Sequence, residues 1–107
     1  MKKMLAKAVA LSLVLGGVGF VANDDSMEPR IPDKSIVIID TDVKDLDHKN
    51  VAVFLVNGKP YIRNIYKQED AKYLVSVNLN YGPIFFNQHN TITVVGKVIR
   101  LIVENFI

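Results

Sequence analysis

From Ser26 onward the chain breaks into short runs of apolar, largely β-branched residues separated by polar turns, which is the pattern of buried strands rather than of amphipathic helices. Ile36–Asp40 and Val51–Val56 are two such runs. Asn57-Gly58 is the strongest turn signal, because a type I′ hairpin needs positive φ at both central residues and Asn and Gly tolerate it. It should join Val51–Val56 to a strand over residues 61–66. Gln68-Glu69-Asp70 makes the next polar turn, followed by strands over residues 73–77 and 84–86 with a loop between them. Residues 91–103 form a long last stretch interrupted by Gly96, which predicts a bulge or bend that lets a small sheet curl on itself. The expected fold is mainly β: a small, strongly bent antiparallel β-barrel over residues 23–107, with no second domain.

Residues 1–22 form a short apolar N-terminal segment of a different kind. Lys2, Lys3 and Lys7 precede an uncharged run over residues 8–22, closed by Asn23-Asp24-Asp25, which is the layout of a secretory signal or short anchor. A spanning helix needs roughly 20 apolar residues, and this run is shorter and carries Gly16, Gly17 and Gly19. Each costs about 1 kcal/mol against Ala in a helix. The competing reading is a helix to about Leu15, a glycine break, and a first strand over residues 18–23.

Composition narrows the chemistry. A chain of 107 residues is one domain by length, and it has no cysteine, which excludes a disulfide framework, a thiolate metal site and a cysteine nucleophile. The formal charge of +2 misleads, because from Asp24 on there are ten basic against eleven acidic residues. A nearly neutral body with no basic stripe is not a phosphate-backbone binder, so no direct nucleic-acid contact by this segment is expected.

The candidate chemistry lies in Asp25-Ser26-Met27-Glu28-Pro29, followed by Ile31-Pro32 and an apolar run. This segment resembles the nucleophile segment of LexA-type phage repressors and their mutagenesis relatives. The resemblance continues in order through Asn57-Gly58, Ile62-Arg63-Asn64-Ile65, Leu74-Val75-Ser76-Val77-Asn78, Tyr81-Gly82-Pro83-Ile84 and Val94-Val95-Gly96-Lys97-Val98. It thus covers roughly Phe20 to Ile102 and implies the barrel shared by LexA C-terminal domains and signal peptidases. In that family a serine hydroxyl attacks and a desolvated, neutral lysine takes its proton. Ser26 falls on the nucleophile and Arg63 on the lysine. Arginine has a pKa above about 12 and donates only, so it is not a base. Lys59 and Lys67 share a strand face with Arg63 but lie four residues away, about 13 Å along the strand.

Other departures point the same way. Asp24 replaces the glycine usual before Asp-Ser, and Lys34-Ser35 and Lys49-Asn50 replace Gly-Asp pairs. The twenty-five residues before Ser26 contain no Ala-Gly bond to cut and no helix-turn-helix. The resemblance therefore implies a cytoplasmic regulatory module, defective in self-cleavage, that dimerises through its C-terminal strand region. The apolar patch for this would be residues 99–103 with Phe106 and Ile107, and an activated recombinase filament is a further implied partner. The alternative is a membrane-anchored, signal-peptidase-like serine endopeptidase that uses Ser26 and is held or exported through residues 1–22.

Blander readings remain for single residues. Asp25 or Ser26 could cap backbone amides in a turn, and Arg63 could be an exposed strand residue paired with a carboxylate. Asp40, Asp42, Asp45 and Asp47 lack the glycine and terminal glutamate of a calcium loop and read as a solvated turn. His48 and His89 read as surface residues, and Tyr61, Tyr66, Tyr73, Tyr81, Phe85 and Phe86 as core and rim aromatics. No cofactor and no metal site are expected.

Overall fold

The computed structural model describes residues 18–43 and 45–103, and these residues form a single seven-stranded antiparallel sheet with no helix among them. The strands are β1 (Val18–Val21), β2 (Ile36–Asp40), β3 (Val51–Val56), β4 (Lys59–Gln68), β5 (Ala71–Val75), β6 (Ile84–Phe85) and β7 (Ile92–Ile102). Their order across the sheet is β1-β2-β7-β3-β4-β5-β6. The sheet curls into a half-barrel whose edges are β1 and β6. Among the described residues no helix is long and apolar enough to cross a membrane. The helix considered up to Leu15, and Phe106 and Ile107, lie outside the described residues.

β3 is the centre because its side chains are apolar on both faces. Val51 and Val53 join Phe20, Met27, Val37, Ile39 and Ile62 in one cluster. Ala52, Phe54 and Val56 join Leu46, Ile65 and Leu74 in the other. A continuous apolar run rather than an alternating one is what a strand covered on both faces requires. Phe20 and Ala22 are both buried, so the end of the apolar N-terminal run packs into the domain.

The turns follow from local chemistry. Asn57 and Gly58 have φ of 51° and 85°, and Val56 pairs with Lys59 across them, as the two-residue hairpin requires. Asn57 also accepts from the Thr91 amide through its side-chain oxygen (2.8 Å), tying the hairpin to the start of β7. In β7 the extra residues are Val95, opposite Val53 and Phe54, and Ile99, opposite Ile38 and Ile39. Gly96 lies between these bulges for a steric reason: a Cβ there would stand 2.5 Å from the Asp40 carbonyl oxygen.

Some boundaries differ from the expected ones. β1 ends at Val21 rather than at residue 23, and β4 extends in both directions beyond residues 61–66. β5 occupies Ala71–Val75 instead of residues 73–77, because Ser76 turns its hydroxyl toward the carbonyls of Asn78 and Tyr81, at 2.8 and 2.9 Å.

Candidate active site

Ser26 sits in the loop between β1 and β2, held from both sides of the chain. Met27 and Ile31 are buried anchors in the core, and the Ile31 amide donates to the Met27 carbonyl at 2.8 Å. The Ser26 amide donates to Asp24 Oδ1 at 2.9 Å, a local Asx-type contact. Its carbonyl accepts from the Asn78 amide at 2.8 Å. Asn78 Nδ2 donates to the Asp25 carbonyl at 3.3 Å, and the Tyr81 hydroxyl donates to Asp25 Oδ1 at 2.7 Å. Residues 76–81 thus clasp the Ser26 loop from a segment some fifty residues away.

Arg63 enters from the middle of β4, opposite Ala52 in the β3–β4 ladder. Its Nη1 donates to Ser26 Oγ at 2.7 Å and to the Ile62 carbonyl at 2.9 Å. Both partners are interior: Ser26 is 2% exposed and Arg63 4%. The expectation of an exposed arginine paired with a carboxylate is therefore wrong. The charge is instead held between two aromatic faces, with Cζ 5.2 Å from the Tyr61 ring centroid and 5.8 Å from that of Tyr81. Burial pushes the guanidinium pKa down, and the negative potential of Asp24 with Tyr61 and Tyr81 pushes it back. Nε is buried with no hydrogen-bond partner among the described residues.

A cleft of about 340 Å³ opens beside this pair. Phe20, Ala22, Met27, Val53 and Ile62 give it apolar walls, and Lys59 and Asp24 also line it. The β3–β4 and β4–β5 registers run without a bulge, so nothing in the strand shifts Lys59 or Lys67 toward the position of Arg63. The arrangement can bind through an alcohol and a fixed cation. Among the described residues no amine lies on the serine hydroxyl.

The remaining candidates stay apart from this site. Asp40 Oδ1 accepts from the Asp42 amide and Asp47 Oδ1 from the Lys49 amide, so these carboxylates build turns. Among the described residues no three His, Cys, Asp or Glu side chains converge to hold a metal. His48 and His89 are exposed, and His48 lies edge-on to Tyr66 at 6.2 Å between centroids. The contributions of Tyr61, Tyr81 and Asn78 were missed at the level of sequence, where the tyrosines read as core and rim. The signal was the pattern Ser76-x-Asn78-x-x-Tyr81-x-Pro83, whose three polar members all serve the clasp.

A family model described as Peptidase S24-like matches residues 17–99. That stretch is nearly the one over which the sequence resembles LexA-type C-terminal domains. No curated protein matches the chain.

Proposed function

The chain belongs to the Peptidase S24-like family, and we propose that it is a regulatory, self-associating module of the LexA C-terminal type that does not cleave. The observation that carries this reading is the buried Arg63 guanidinium on the Ser26 hydroxyl, 2.7 Å away. Taken as the nucleophile position, Ser26 needs a base to remove its proton as it attacks. A guanidinium stays protonated and only donates, so Ser26 remains a plain alcohol. Asp24 is engaged by the Ser26 amide rather than by its hydroxyl, and so does not replace the base.

Support for self-association comes from β7. Its ladder with β3 begins at Ala52–Lys97, whereas its ladder with β2 runs on to Ile102, so among the described residues one edge of 98–102 is unpaired. Ile99 and Leu101 alternate along this stretch, Val103 follows it, and all three are exposed, Ile99 at 59%. An apolar strand with an open edge favours pairing with a second copy about a two-fold axis.

Two measurements test the proposal. Wild type incubated with peptide substrates at pH 9 should leave them intact; cleavage that disappears in Ser26→Ala would sink the non-cleaving reading and return the endopeptidase. Sedimentation should give a dimer that Leu101→Lys converts to monomer. A strictly monomeric wild type at high concentration would overturn the association.

A further inference from the structure

The cleft beside Ser26 holds a cation that no carboxylate among the described residues contacts. Nη1 spends its donors on Ser26 Oγ and the Ile62 carbonyl, while the Nε–Nη2 edge has no hydrogen-bond partner among the described residues, and Nε itself is buried. An unpaired buried N–H is costly, and more so where the surroundings are apolar. That edge of an arginine is also the fork that takes a carboxylate with two parallel hydrogen bonds. Ser26 Oγ accepts from Nη1, which leaves its own proton available to a ligand oxygen.

The rest of the cleft fits a peptide end. Its charged lining is Asp24, Lys59 and Arg63, a net single positive charge, and Asp24 Oδ1 is already occupied by the Ser26 amide. Phe20 and Val21 of β1 form one wall. β1 pairs only with β2 among the described residues, so its other edge is open to an added strand.

We propose that this cleft binds, without cutting it, the C-terminal carboxylate of an extended peptide with an apolar last residue. The carboxylate sits on Arg63 and the Ser26 hydroxyl, the last side chain meets the apolar walls, and the peptide backbone runs along β1. The inference rests on the non-cleaving reading in requiring Ser26 to stay an alcohol. It adds the ligand: a chain end carrying a full negative charge, which an internal amide lacks.

The test uses acetylated tetrapeptides ending in Ala, Val or Leu, each as the free acid and as the C-terminal amide, titrated calorimetrically into the full chain. At least one acid should bind, with its amide weaker by about tenfold or more, the scale of a lost charge-assisted contact. Arg63→Gln should erase that difference. Should this variant unfold, added salt must weaken the acid toward the affinity of its amide in wild type. Equal binding of acid and amide, or no acid bound at millimolar concentration, overturns this inference and leaves the non-cleaving reading intact. Ser26-dependent cleavage of the amides overturns both.

Discussion

Arg63 Nη1 lies 2.7 Å from Ser26 Oγ although the two residues are 37 apart in the chain, and both are buried. The contact joins the loop after β1 to the centre of β4. It places a permanent donor where a serine nucleophile would need an acceptor.

Replacing the donor by an amine should therefore matter. The burial that depresses the Arg63 pKa would depress that of a lysine too, and a lysine can lose its proton. Arg63→Lys should gain Ser26-dependent peptide hydrolysis at pH 9, on the order of 10²-fold above wild type, the lower range for a positioned base. The double variant with Ser26→Ala serves as the blank. Activity no higher than wild type would mean that Arg63 does not stand in the place of a base.

The same contact has a structural side. Ser26→Ala removes the acceptor of a buried, charged donor, which should lower stability by about 1–3 kcal/mol. A double-mutant cycle with Arg63→Gln, read by urea unfolding, should return most of this as coupling between the two residues. Additive effects would mean that the hydrogen bond contributes nothing to the fold.

Lys34 has φ of 69°, a left-handed conformation that a side chain resists, and its amide donates to the Ala22 carbonyl at 2.7 Å. The turn before β2 thus keeps the backbone of a glycine turn with a lysine in it. Lys34→Gly should stabilise the domain by about 1 kcal/mol, since left-handed geometry costs a non-glycine residue about 1–2 kcal/mol and glycine's extra unfolded-state freedom returns part of it. An unchanged or lower guanidinium midpoint would count against strain at this turn.

Gly96 presents the opposite case. Its added Cβ would meet the Asp40 carbonyl oxygen at 2.5 Å, the Asp40 carbonyl carbon at 3.0 Å and Thr41 Cα at 3.1 Å, all backbone atoms. No flexible side chain can yield, so β7 and the end of β2 must separate. Gly96→Ala should destabilise by about 1–3 kcal/mol, the range for overpacking, with the loss visible in thermal unfolding. A melting temperature equal to wild type would show that the two strands part freely here.

These positions differ in how far they could be read from residues alone. β2 and β3 fall where the apolar runs lie because burial on both faces leaves an uninterrupted hydrophobic signal. The far end of β4 and the start of β5 were hidden, since Lys67–Lys72 and Gln68–Ala71 pair through backbone bonds while the exposed polar side chains of Lys67, Gln68 and Lys72 carry no period. Ser26 and Arg63 came together on paper only through the family resemblance. Neither spacing nor hydropathy could show that Arg63 is buried, because the guanidinium is stabilised there by the rings of Tyr61 and Tyr81, and cation–π geometry leaves no mark in the sequence.

The Tyr81 hydroxyl ties the clasp to the Ser26 loop, and it makes that tie dependent on pH. Its hydrogen bond to Asp25 is the main cause raising its pKa from 10.0 to about 12, helped by desolvation and by the charges of Asp25 and Asp24 and opposed by Arg63. A folded-state pKa above the unfolded one means that the native state holds the proton more tightly. The contribution is complete below about pH 10 and is lost as the pH rises through 12. Tyr81→Phe should therefore be less stable than wild type at pH 8, and the gap between their urea midpoints should narrow steadily from pH 10 upward as the wild type loses its advantage. Every other titratable group is common to both proteins and cancels in the difference. A gap that stays constant from pH 8 to pH 11.5 would mean that the phenol does not hold Asp25, and the clasp would then rest on Asn78 alone.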